Sequence, residues 1–280
     1  MRIGDNVWVV TGAGGGIGRE LALQLLQRGA RVAAVDISPD GLAGTAERAP
    51  AADLLSRHVV DITDRDAVQA LVGAVLAVHG TVDAVVNNAG IIQPFVPFTD
   101  LDEASLHRVL DVNLMGTIHM TRAFLPVLLD RPAAHLVNVS SMGGFFPFPN
   151  QTMYGASKAA VTLLTEGLFA ELLDTPVSVS VVFPGPTDTG IASNLGLPAD
   201  AAQQSRMPLT SAADAARMAL DGIERDRLHI YLGTMARLAN IAIRIAPRAA
   251  ITFVRAQMTR LMADAVPQQA GEVLAASPTD

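Results

Sequence analysis

Seven short runs rich in Val, Ile and Ala recur along the chain: Val7–Thr11, Arg31–Asp36, His58–Ile62, Val82–Asn87, Ala134–Ser140, Val177–Phe183 and His229–Gly233. Most are near-continuous apolar runs rather than alternating ones. That is the pattern of strands buried on both faces of a parallel sheet. Between them lie stretches with helical spacing of apolar residues, among them Ile17–Arg28, Asp64–Val78 and Tyr154–Leu173. Strand and helix in alternation predict an α/β fold built on a doubly wound sheet.

The rhythm breaks twice. Gly190–Ser211 reads as a loop rich in Gly, Pro and Ala. Residues 234–280 lie beyond the last predicted strand, and Ser277–Asp280 with the Pro/Gln segment before it read as frayed. The expected organisation is one α/β domain over 1–233 and a helical, basic extension over 234–280.

Composition narrows the possibilities. At 280 residues and 50% hydrophobic, the chain can bury one large core. Its 17% of charged residues is low, but no run of 18 uncharged apolar residues occurs, so no membrane-spanning helix is expected. The net charge of −7 argues against nucleic acid as a partner. Cysteine is absent, which removes disulfides, thiolate metal sites and cysteine nucleophiles. No metal site is expected. The opening MRIGDNVWVV lacks the basic and apolar regions of a secretory signal, so a cytoplasmic location is the expectation.

The first strand runs directly into Thr11-Gly12-Ala13-Gly14-Gly15-Gly16-Ile17-Gly18 and then a helix. Glycines in that position let the backbone turn tightly and let a pyrophosphate approach free N–H groups at the helix start. Gly12, Gly14, Gly15, Gly16, Ile17 and Gly18 are the candidate contacts. No Gly-Lys-Ser/Thr follows, which excludes a P-loop. The segment fits T-G-x-x-x-G-x-G through Gly12, Gly16 and Gly18, and through Gly15 it fits T-G-x-x-G-x-x-G equally.

Asp36 ends the second predicted strand, 18 residues after Gly18. An acid there can accept both adenosine ribose hydroxyls and repel a 2′-phosphate. Neither its neighbour Ile37 nor Gly15 offers a cation for that phosphate, and Arg19 is read as facing solvent. NAD is therefore expected over NADP, with Asp36 and Ile37 beside the adenosine. The alternative is that Asp36 only caps the next helix.

Tyr154 and Lys158 stand four residues apart, on one face of a predicted helix. A free phenol is a poor base at neutral pH, but a nearby ammonium favours the phenolate. Such a tyrosine can take a proton from an alcohol while hydride leaves the carbon. A serine ending the preceding strand, Ser140 or Ser141, can bond the same substrate oxygen.

At these residues the chain resembles the classical short-chain dehydrogenase/reductase family, over roughly residues 5–233. The resemblance rests on motifs in order: the glycine turn at 11–18, Asp61-Ile62, Asn87-Asn88-Ala89-Gly90, Asn113, Ser141, Tyr154-x-x-x-Lys158, and Pro184-Gly185 with Thr187 and Thr189. It implies a Rossmann-like doubly wound parallel sheet of about seven strands with helices on both faces. It implies an NAD(P)-dependent enzyme acting on a CH–OH group, with Tyr154 as acid/base and Lys158 tuning it and holding the nicotinamide ribose. Family spacing puts the catalytic serine thirteen residues before the tyrosine, which selects Ser141. Asn113 would hold a water in a relay to Lys158, or bond a neighbouring strand. Asp61 and Ile62 would flank the adenine. Asn87, Asn88, Ala89 and Gly90 would line the cofactor, and Pro184, Gly185, Thr187 and Thr189 would contact the nicotinamide. The resemblance also implies a homo-dimer or homo-tetramer.

Substrate specificity should come from loops beyond the strand ends. Gln93, Met142, Gly143, Phe145, Phe146, Phe148 and Met153 are the candidate lining, with Phe95 beside them. Three of the chain's nine phenylalanines lie here, which suits a lipophilic alcohol or ketone such as a steroid, terpenoid or acyl chain. The same residues could equally be core or subunit packing.

Residues 231–263 hold five arginines and no lysine or acid, leaving −12 for the rest of the chain. Arg237, Arg244, Arg248 and Arg255 share one helical face, and Pro247 should split the segment into two helices. Such a helix could dock on this chain, cover a sister subunit, or rest on an anionic membrane surface.

Overall fold

Val7–Thr11 (β1) lies parallel to Arg31–Asp36 (β2), with Val9 opposite Ala33, and on its other side to Ala84–Asn87 (β4). This is the centre of a seven-stranded parallel sheet in a computed structural model that describes residues 2–188 and 209–257. Leu55–Val59 (β3), Ala134–Val139 (β5), Val177–Pro184 (β6) and His229–Leu232 (β9) complete it, in the order β3-β2-β1-β4-β5-β6-β9. A short parallel pair, Thr187–Asp188 (β7) and Thr210–Ser211 (β8), stands apart from it.

Helices cover both faces. Gly16–Gln27 (α1) and Ala212–Glu224 (α7) pack Leu21, Leu25, Ala219 and Leu220 against Trp8 and Val10. Arg65–His79 (α3) and Thr117–Leu129 (α5) pack Leu71, Phe124 and Leu128 against Val9, Ala33 and Val35 on the opposite face. Successive β1 side chains thus enter different cores, which is why the strand reads as a continuous apolar run. Pro39–Ala46 (α2), Glu103–Leu110 (α4) and Thr152–Glu171 (α6) complete the main body. The strand order reverses between β1 and β4, which opens a crevice at their carboxyl ends.

Two elements differ from expectation. The third strand is Leu55–Val59, not His58–Ile62. It is a sheet edge, so one face carries Ser56 and His58, and its apolar signal is weak. The apolar residues Val60 and Ile62 leave the ladder after Val59 and line the crevice instead. Thr210 and Ser211, expected as loop, pair with Thr187 and Asp188. The rest of the 190–211 segment, through residue 208, lies outside the described residues, as do 258–280.

α4 and α5 are joined by a π-helical turn, Asp111–Gly116, so that Glu103–Leu129 is one continuous helix. By length and composition it could span a membrane, yet Met120, Phe124 and Leu128 are wholly buried in the core. The extension forms Thr234–Ile245 (α8), a break at Ala246, and a helical stretch over 247–257 opened by Pro247, as the sequence suggested. Ala236, Met235, Ala239, Ile243, Ala250 and Val254 pack on this chain's own Met142, Phe145, Phe146 and Phe148. Leu238, Ile241 and Ile245 remain exposed on the outer side.

Candidate active site

The glycine turn closes the end of β1 in a geometry only glycine allows. Gly12 has φ +68°, and a Cβ on Gly18 would lie 2.1 Å from the Gly12 carbonyl oxygen. Above Gly15 there is open space within 4 Å. Gly15 caps α1 without a side-chain bond, so the first helical N–H groups lack intrahelical acceptors and meet the crevice. That donor set and the unfilled space fit a dinucleotide pyrophosphate.

The crevice is a cleft of about 1080 Å³ running from Asp36 and Asp61 at one end to Tyr154 and Pro186 at the other. Asp36 Oδ2 accepts the Gly14 N–H at 2.8 Å, and Oδ1 accepts the Ser38 N–H at 2.9 Å. The first helical turn of α2 is capped by Ser38, not by Asp36. Arg19, expected to face solvent, folds back into the cleft wall. It donates to the Gly14 carbonyl, to the Gly41 carbonyl at 3.2 Å and to Thr45 Oγ1 at 3.0 Å. Its spacing within α1 gives no hint of this, because the partners come from the glycine turn and from α2.

Ile37, Asp61, Ile62, Asn88, Ala89, Gly90, Pro184, Gly185 and Thr187 also line the cleft. Asn88 Nδ2 donates to the Thr11 carbonyl, tying β1 to the segment after β4. Asn87 is a correction. It is buried below the cleft floor, where Nδ2 donates to Thr121 Oγ1 and Asn138 Oδ1, because β4 alternation turns it into the core. Gly18 likewise sits beneath the turn, and only its lack of a side chain matters. Thr189 lies outside the described residues. His107, Arg108 and Asp111 of the long helix line the cleft unforeseen; no motif marks them.

Three catalytic candidates converge at the far end. Tyr154 and Lys158 rise from α6, and Ser141 follows β5. A Cβ on Gly143 would meet Tyr154 Cε1 at 3.2 Å and Ser141 Oγ at 3.5 Å, so this turn lies directly on the phenol. Ser140 is committed elsewhere: its hydroxyl donates to the Lys158 carbonyl at 2.8 Å and meets Thr162 Oγ1. Burial pushes the Tyr154 phenol above the usual tyrosine range, and a hydrogen bond with Ser141 pulls it back. Burial also pushes the Lys158 ammonium down to about 8. Lys158 Nζ donates to the Val139 carbonyl at 2.9 Å.

Asn113 sits in the π-helical turn. Its Oδ1 accepts the Ile91 N–H at 2.8 Å, and its Nδ2 donates to the Ile91 carbonyl and to Ser157 Oγ. The side chain therefore clamps the segment after β4 to α6 rather than to a strand. π-turns recur at functional sites because they re-aim a side chain.

The predicted substrate lining is largely corrected. Met142 and Phe146 are buried under the extension, and Phe145 packs edge-on to Phe183 and Tyr231. Gly143, Phe145 and Phe148 border a separate groove of about 260 Å³ with Ala156 and Ala159. Gln93 is fully buried, and the Met153 N–H is bonded to it. For the phenylalanines the packing alternative holds, and the extension that covers them lies some 90 residues further along the chain. Ile91, Pro186 and Leu209 border the cleft instead.

Comparison with known proteins agrees with this geometry. The profile of the family described as short chain dehydrogenase matches residues 6–199. The chain is 40% identical over 242 residues to 1-deoxy-11-beta-hydroxypentalenate dehydrogenase of Streptomyces avermitilis, covering 85% of this chain and 88% of that one. Two solved structures share the fold at TM-score 0.77 and 28% identity. One is a short-chain dehydrogenase/reductase from Burkholderia phymatum in complex with NAD, covering 88% of this chain and 96% of that chain. The other is a short-chain dehydrogenase from Burkholderia cenocepacia in complex with NADP, covering 91% and 99%.

Proposed function

The chain belongs to the short-chain dehydrogenase family of oxidoreductases, and we propose that within it this protein interconverts a lipophilic secondary alcohol and its ketone with NAD. The observation that carries this reading is the meeting of Tyr154, Ser141 and Lys158 in the cleft that the glycine turn also lines.

Bound NAD would supply the hydride acceptor, taking the hydrogen and two electrons from the alcohol carbon. The glycine turn would hold its pyrophosphate, Asp36 its adenosine ribose, and Lys158 the ribose next to the nicotinamide. Ser141 Oγ orients the substrate oxygen. Tyr154 takes the hydroxyl proton as the carbonyl forms, and returns it in reduction. Burial disfavours the phenolate before ligands bind, and the Ser141 hydrogen bond favours it.

Asp36 supports NAD over NADP. Its carboxylate stands at the adenosine end of the cleft, while the Arg19 guanidinium already donates to two carbonyls and Thr45. A 2′-phosphate there would meet a carboxylate and an engaged arginine. The lipophilic substrate is supported by Ile91, Pro186 and Leu209 at the cleft border. The relative named for a hydroxypentalenate fits an alcohol of that kind.

The test is a screen of steroid, terpenoid and acyl-chain alcohols with NAD, following reduced nicotinamide by absorbance. Activity is expected on such alcohols and abolished in Tyr154→Phe, which keeps the ring and removes the proton. Turnover close to wild type in that variant would falsify the assignment.

A further inference from the structure

We infer that Gln93, which comes from the loop after β4, is a positioning residue that fixes the catalytic helix at Tyr154 by capping it from outside. The inference rests on the reading of Tyr154 as acid/base.

α6 starts at Thr152, and its N-cap residue Gln151 makes no side-chain cap bond. The first N–H groups of a helix need partners from elsewhere. Here Gln93 Oε1 accepts both the Met153 N–H at 2.7 Å and the Tyr154 N–H at 3.0 Å. Its Nε2 donates to the Asn150 carbonyl at 3.1 Å. Two backbone donors on one atom and a carbonyl on the other fix which end of the amide is oxygen. The Gln93 carbonyl in turn accepts from Gln151 Nε2 at 2.9 Å. Four hydrogen bonds thus join one residue to residues 150–154. Asn150 has φ +63°, so the turn into α6 is held in a conformation that a side-chain clamp helps maintain.

Gln93 is fully buried and touches no cleft surface. It is two residues beyond Ile91, which lines the cleft and is clamped by Asn113. The segment that lines the cofactor cleft therefore carries, on its next residues, the cap of the catalytic helix. An ordinary N-cap comes from the residue beside the helix. This one spans 60 residues of sequence, and it ties the position of the phenol to the segment that would hold the nicotinamide.

Gln93→Met removes the acceptor while keeping an unbranched side chain. Gln93→Glu, kept as the neutral acid by burial, retains a carbonyl oxygen for both N–H groups and an O–H for the Asn150 carbonyl. Each is compared with wild type and with Tyr154→Phe on the alcohol found by the screen above, with NAD affinity measured by calorimetry. We expect Gln93→Met to lower kcat tenfold or more with NAD affinity within threefold of wild type, because Asn113 holds Ile91 independently. We expect Gln93→Glu to recover most of that kcat. If kcat, NAD affinity and thermal midpoint fall together and Gln93→Glu recovers nothing, the residue merely supports the fold and the inference is overturned. Unchanged kcat in Gln93→Met beside an inactive Tyr154→Phe overturns the inference and leaves the catalytic reading standing. An active Tyr154→Phe overturns both.

Discussion

The Asp36 carboxylate accepts the Gly14 N–H at 2.8 Å, so the acid ending β2 and the glycine turn ending β1 form one unit. Arg19 holds the next peptide group of the turn through the Gly14 carbonyl. The Asp36 end of the cleft is thus shaped jointly by β2, the glycine turn and α1.

Asp36→Asn removes the negative charge and keeps the side-chain shape. A hydrogen bond to a charged group contributes about 1.5–3 kcal/mol. The ratio of kcat/KM for NADP to that for NAD should rise about tenfold or more, read from initial rates with each cofactor. An unchanged ratio would show that Asp36 does not set the preference.

Gly18→Ala places a methyl 2.1 Å from the Gly12 oxygen and 2.5 Å from Asn88 Nδ2. The Gly12 backbone cannot move without opening the turn, and Asn88 Nδ2 is held by the Thr11 carbonyl. We expect a loss of about 1–3 kcal/mol of stability and at least tenfold weaker NAD binding, measured by denaturation and calorimetry. Gly15→Ala, which meets nothing within 4 Å, serves as the contrast in stability and should stay near wild type there.

Lys158 gives an unusual stability profile. Its ordinary value is 10.5, and burial holds it near 8 in the fold. Between these values the unfolded chain keeps a proton that the folded chain has released, so stability rises with pH. Below pH 8 the buried ammonium costs about 3 kcal/mol. Lys158→Met should be inactive and should lose this rise. Denaturant midpoints from pH 8 upward should climb more in wild type than in the variant; parallel curves would contradict the assignment.

His135 works in the acid direction. It is wholly buried in β5, its Nε2 meets Ser180 Oγ at 2.8 Å, and its Nδ1 has no partner among the described residues. Burial lowers it from 6.5 to about 4. As pH falls through that window the unfolded chain gains a proton and the folded chain does not. Up to about 3 kcal/mol of stability is therefore lost. His135→Gln should flatten the acid limb of stability against pH. A variant as acid-sensitive as wild type would point to another group.

The alternating sheet, the glycine turn and the placing of Tyr154 and Lys158 on one helix are legible in the order of residues alone. Each depends on local spacing: the period of a strand, the period of a helix, or the backbone freedom of consecutive glycines. Asp36 was legible for the same reason, as the last residue of a strand next to that turn. What tertiary structure alone decided is pairing between distant segments. Gln93 read as pocket lining because nothing near it in sequence shows that it meets Met153 and Tyr154. Phe145 and Phe146 leave pocket and packing equally open in sequence, because burial by α8 cannot be told from burial by a ligand until the helix is seen in place. The edge strand β3 was misplaced by a few residues, since with one face released from the core its apolar pattern no longer marks its ends.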